Sequence, residues 1–186
     1  MPVPIRRLIV ALTLCCTLSV GATACGGGSA TQDTAAVVAA ATPTPTSSVE
    51  KQKLAKTRFV ANAGLAAGAT YQWIVKPWKA GKFKKGAKGR KFALVKAGVA
   101  GAFTYNRLKA ARKNAEGSPA LSKAIAPLTS GIDALKNLPS KLRKGDSTDA
   151  TVGSFDDIIN KVKDAGKSAG AEVTDKVPSS SQLSGG

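Results

Sequence analysis

The sequence predicts an all-α fold, a small bundle of about four helices. Three observations carry that prediction. Helix formers dominate, and long alternations of β-branched residues are missing. Apolar residues recur at helical spacing in the second half: Leu121, Ile125, Leu128, Ile132 and Leu135, then Val152, Phe155, Ile159 and Val162. In the first half, AGLAAGATYQ (Ala63–Gln72) aligns without gaps on AGVAGAFTYN (Ala97–Asn106), offset by 34 residues with five of ten positions identical. That match reads as two related Ala/Gly-rich helices joined by a basic loop, GKFKKGAKGRK (Gly81–Lys91).

Charge is confined to the same region. The chain has 186 residues, 28 Lys plus Arg, 11 Asp plus Glu and a formal net charge of +17. Lys51–Lys113 holds 17 of those cations and no acid, while the flanking segments balance. Eight of the nine aromatics lie there too, Phe155 being the exception. Such a strip predicts an anionic partner: lipid headgroups, cell-wall polyanions or nucleic acid.

Taken from the start, Arg6 and Arg7 precede the apolar run LIVALTLCCTLSVGATA (Leu8–Ala24), which ends in small residues. This is the layout of an export signal over residues 1–24. It is followed by Ala22-Thr23-Ala24-Cys25 and then GGGS. These residues resemble the lipobox and mature start of bacterial lipoproteins from high-GC Gram-positive bacteria. The resemblance implies that Cys25 is thioether-linked to diacylglycerol and becomes the first residue, anchored on the extracytoplasmic face of the cell membrane. Ala-Thr-Ala also suits an ordinary signal peptidase, which would leave the protein secreted. The export route stays open. Residues 25–48 form the lipidated cysteine and a flexible tether, with TPTPTSS (Thr42–Ser48) an extended spacer. At full extension it reaches about 70 Å.

The helical domain is expected over residues 49–169, with a basic hairpin over 49–113 and amphipathic helices over 114–169. The first helix should begin near Ser48. With Ser48 as cap, Lys51 takes the third helical position, which makes no capping box. Pro77 should stop or kink it. Its uncharged stretch, Phe59–Val75, has 17 residues, short of the roughly 20 that span a bilayer. Gly64 and Gly68 place small residues one turn apart, and Ala97 with Gly101 and Gly98 with Ala102 do so in the second helix, expected over about Gly89–Lys113. These four glycines are candidate contact positions between the two helices. A membrane-inserted or interfacial hairpin remains an alternative to that packed pair.

At the hairpin's end, Trp73 and Trp78 sit beside Lys76 and Lys79. Amphipathic rings next to cations suit a membrane interface, or equally the packing of rings against the hairpin end. Lys79, Lys82, Lys84, Lys85, Lys88, Arg90 and Lys91 crowd into 13 residues. They are the candidate anionic-surface contact, on a loop its glycines should keep mobile. The third segment opens with Ser118-Pro119, cap then first helical residue. Pro127 and Gly131 should break it and Pro139 should end it. A fourth helix is expected near Thr151–Ala169, and residues 170–186 read as a disordered tail.

Chemistry is limited by what the chain lacks. With no histidine, a Ser-His-Asp triad, a Cys-His dyad and a His-containing zinc site are excluded. Cys15, Cys16 and Cys25 cluster near the start, so no disulfide framework is available. Asp156 and Asp157 are adjacent on a helix and point about 100° apart, so they do not converge. GKFKKGAKG lacks the preceding strand and the Lys-Ser/Thr end of a phosphate loop. No cofactor or metal is expected, and no enzyme. The reading is a surface-anchored lipoprotein whose cationic hairpin contacts anionic membrane or cell-wall material. Export disfavours nucleic acid, and no protein partner is indicated. The alternatives are a secreted cationic, membrane-active (toxin-like) protein, an enzyme without histidine that uses Ser, Lys or carboxylates, and a structural or partner-binding subunit without polyanion affinity.

Overall fold

The computed structural model describes residues 47–184. The expected export segment, Cys25 and the expected tether up to residue 46 lie outside the described residues. Among those described, helices and turns account for the fold and there are no strands. Thr42–Gly186 forms a compact unit with its own hydrophobic core. No described helix is long and apolar enough to cross a membrane.

Helix α1 (Ser48–Thr70) starts one residue earlier than the sequence suggested, and the shift creates the cap that seemed absent. Ser47 is the N-cap. Its Oγ accepts from Glu50 N–H (3.1 Å), and Glu50 Oε2 accepts from Ser47 N–H (3.3 Å), a complete capping box.

Pro77 does not stop the helix. The chain widens into a π-turn over Tyr71–Val75 and continues as α2 (Lys76–Lys79). A proline inside a helix has no N–H and clashes with the carbonyl four residues earlier. In the widened turn Lys76 N–H reaches Tyr71 O, so the backbone is already reorganised where the ring enters.

Helix α3 (Arg90–Ala115) returns antiparallel to α1. Thr70 and Thr104, both buried, share a hydrogen bond of 3.1 Å between their hydroxyls, and Thr104 Oγ1 also reaches Ala66 O at 3.4 Å. Arg107 lies opposite Asn62, and Gly117 opposite Ala55. Alanines line the seam: Ala63, Ala66, Ala67, Ala97 and Ala100 are 0–2% exposed.

The four candidate glycines are close-contact positions, but not against the opposing hairpin helix. A β-carbon on Gly64 would lie 2.6 Å from Thr174 O, and one on Gly68 would lie 2.1 Å from Lys176 O. Both neighbours belong to the C-terminal tail. On Gly98 it would meet the Arg143 side chain and Pro139 O, and on Gly101 the Phe155 ring at 3.0 Å. Alanine side chains already close the seam between α1 and α3. The glycines open each helix's outer flank to a third element.

The third segment is α4 (Pro119–Ile125), α5 (Thr129–Ala134) and α6 (Leu138–Lys144), joined by 3-10 turns at Ala126–Leu128 and Leu135–Asn137. Pro127 breaks it as expected. Gly131 does not break it: it lies within α5, where a β-carbon would come 2.4 Å from Ile158 Cδ1. Pro139 opens α6 rather than ending the segment. Its missing N–H falls where a first helical turn has no acceptor anyway. Helix α7 (Thr148–Ser168) buries the expected face, Val152, Phe155, Ile159 and Val162.

The expected disordered tail is instead packed through Ser184. Ala169, Ala171 and Val173 are buried at every second position, the period of an extended chain. Lys176 N–H donates to Gly64 O (2.9 Å), and Lys163 pairs with Asp175 at 2.8 Å. A short α8 (Ser180–Ser184) follows, with Leu183 buried. Polar composition hid this, because the tail docks through backbone and alternate small residues.

The glycine trench yields an asymmetric prediction. Gly68→Ala should destabilise the unit by about 1–3 kcal/mol, since the neighbour is backbone. Gly153 on α7 is exposed, with nothing within 4 Å of an added β-carbon. Gly153→Ala should therefore stabilise by about 0.5–1 kcal/mol. Urea unfolding of the two variants checks the pair, and equal shifts would contradict the tail's docking.

Candidate functional site

The candidate site is the hairpin tip, residues 76–91. The segment between α2 and α3 is a series of tight turns, not the mobile loop its glycines suggested. Gly81 N–H bonds Trp78 O (2.8 Å), Lys82 N–H bonds Pro77 O (3.0 Å), and Lys84, Ala87 and Arg90 each donate to the third residue before them at 3.1 Å. Gly81, Gly86 and Gly89 have φ of 70°, 82° and 75°, a left-handed conformation that glycine adopts at no steric cost. Phe83 is 4% exposed and belongs to the core, so it pins the tip. Arg90 Nε donates to Phe83 O (2.8 Å) and ties the start of α3 to the same point.

This scaffold sorts the seven predicted cations. Lys79, Lys84, Lys85 and Arg90 line a hollow of about 630 Å³. Trp78 and Phe83 form its apolar wall, and its far side is Gly145 with Thr148 and Asp149 at the start of α7. Lys82 and Lys88 line a second, shallower groove of about 300 Å³ with Trp73, Pro77, Phe92 and Lys96. Lys91 is exposed and lines neither. Among the described residues the ion pairs are Arg112–Asp133 and Lys163–Asp175, so none neutralises the tip.

The two tryptophans divide between these hollows. Trp78 donates its indole N–H to Asp149, which fixes the ring in the larger one. Trp73 packs against the core, and the Lys96 ammonium stands 3.7 Å from its ring centroid, a cation–π contact. Both rings are half-buried. The fully presented aromatic is Phe92, 73% exposed, with Val95 at 52% one turn further. Sequence reading passed over Phe92. Its signal was phase: it lies two residues before the buried Leu94, about 200° around the helix from the core-facing stripe.

Asp149 was also missed, because 71 residues separate it from Trp78. Asp156 and Asp157 are successive residues on α7, partly buried and exposed respectively. Among the described residues no group of His, Cys, Asp or Glu could hold a metal.

No family model, curated protein or solved structure matches this chain.

Proposed function

We propose that this protein is a surface-anchored, non-enzymatic lipoprotein whose hairpin tip rests on anionic envelope material. The tether ending at acylated Cys25 holds the domain to the membrane, and the tip orients it. The observation that carries this reading is the set of seven cations, none in an ion pair among the described residues, on a folded tip beside the exposed Phe92. Near an acidic membrane each such cation contributes about 1 kcal/mol. The attraction is screened over about 8 Å at physiological salt. A diacylglycerol anchor carries two acyl chains and holds without help, so the cationic foot orients the domain rather than retains it. The non-enzymatic reading is supported by the absence of histidine from the chain.

Two measurements check the proposal. Mass spectrometry of the native N-terminus should find the chain starting at acylated Cys25, and Cys25→Ser should release it to the medium. A native chain with an unmodified Cys25 thiol would reject the anchor.

The unit spanning residues 42–186 should bind anionic vesicles or wall polymer at low salt, release as salt rises, and leave vesicles sealed. Replacing Lys82, Lys84, Lys85, Lys88 and Lys91 with Gln should abolish binding with helical circular dichroism intact. Equal binding to neutral and anionic surfaces, or none to any of them, would reject the foot. Dye leakage would favour the membrane-active alternative.

A further inference from the structure

The larger hollow at the tip differs from a simple cationic patch in two ways. It is concave and shared between both halves of the fold, and it contains an acid. Four cations and one carboxylate face it, a formal sum of +3. Its volume of about 630 Å³ falls within the usual range for small-molecule sites, about 300–1,000 Å³.

Its polar groups are held in place. Asp149 accepts the Trp78 indole N–H, which orients both ring and carboxylate. Arg90 is tethered through Nε to Phe83 O. Gly145, in the left-handed conformation with φ of 76°, caps α6 against the guanidinium: a β-carbon there would lie 2.5 Å from Arg90 Nη2. The left-handed backbone favours glycine there, and a β-carbon would push the end of the Arg90 side chain aside. Lys84 and Lys85 are exposed at the rim and free to close on a ligand.

The mixture of charges restricts the ligand. A bare anion gains from the four cations but is repelled by Asp149. A phosphate carried on a hydroxyl-bearing body gains from both, since a carboxylate accepts hydrogen bonds from hydroxyls. The indole of Trp78 supplies a flat apolar face for the C–H side of a ring. We propose that this hollow binds a phosphorylated polyol, a sugar or cyclitol phosphate, with phosphate on Lys84, Lys85 and Arg90 and hydroxyls on Asp149. This rests on the anionic-contact reading above and narrows it to one ligand chemistry. The phosphorylated polyol can be free or be the headgroup of a lipid.

Calorimetric titration of the 42–186 unit, whose core is closed within itself, tests the site. The probes are inositol 1-phosphate, inositol and inorganic phosphate. Inositol 1-phosphate should bind about ten-fold or more tighter than either other probe, and Lys84→Gln with Lys85→Gln should weaken it by at least about ten-fold. Asp149→Asn should weaken inositol 1-phosphate but strengthen inorganic phosphate. A charge-matched control, Lys161→Gln with Lys167→Gln toward the far end of α7, should change affinity by less than about two-fold. All these side chains are exposed, and circular dichroism of each variant checks that it folds.

Inorganic phosphate binding as tightly as inositol 1-phosphate would overturn the proposal. So would no binding of inositol 1-phosphate at millimolar concentration, or an equal loss in the control pair. A unit that binds anionic vesicles or wall polymer but not inositol 1-phosphate retains the foot and loses this site. One that binds inositol 1-phosphate but neither surface retains the site and loses the foot. Release from phosphatidylinositol vesicles by free inositol 1-phosphate would assign the lipid headgroup as the source. Tight binding of the free ligand with no affinity for those vesicles would assign the free compound.

Discussion

The close approach of α1 and α3 along an alanine seam is the constraint on which the rest of the structure depends. At its centre the buried hydroxyls of Thr70 and Thr104 meet at 3.1 Å. Hydroxyls withdrawn from water cost free energy unless they find partners, and here they bond each other and Ala66 O, contacts that hold only in this register of the hairpin. The two threonines occupy matching positions of the 34-residue repeat. When a residue of one helix meets its counterpart on an antiparallel helix, the local relation is a two-fold one. Burial follows that relation: Ala63 and Ala97, and Ala66 and Ala100, are equally enclosed. The partners outside the seam do not follow it. Gly64 faces the tail, whereas Gly98 faces α6.

From that seam the tip follows. With both helices fixed, the chain between them must turn within ten residues, and it does so through three left-handed glycines. Phe83 inserts into the core and holds the turns down. The cations are then carried outward on a folded surface, and all but Lys91 are divided between two hollows. A hydrated loop of lysines would present the same charge with no shape. Held turns and an oriented Trp78–Asp149 pair give the charge a geometry.

Much of the fold was legible in the sequence, because apolar period and composition report it directly. The faces of α7 and the hairpin of α1 and α3 are of that kind. Three features were not legible, each for a physical reason. Pro77 enters a helix because a π-turn precedes it, and no local residue pattern announces a widened turn. The tail docks because Gly64 and Gly68 open a trench for a backbone carbonyl, and its own polar sequence gives no sign of it. The small-residue pattern marked the right glycines but the wrong neighbour, since a missing side chain says only that something comes close. At the site, the cations were visible as a cluster, and Asp149, Gly145 and Thr148 were not, because only the folded α6–α7 junction brings them there.

The turns make the cationic tip a preformed surface and not a solvated loop. Amide hydrogen exchange of the 42–186 unit checks this. Slow exchange is expected at Gly81, Lys82, Lys84, Ala87 and Arg90, whose N–H groups are bonded within the turns, with loss of that protection in Phe83→Ala while α7 stays protected. Exchange of these amides in the native protein at the rate of an unstructured peptide would contradict it.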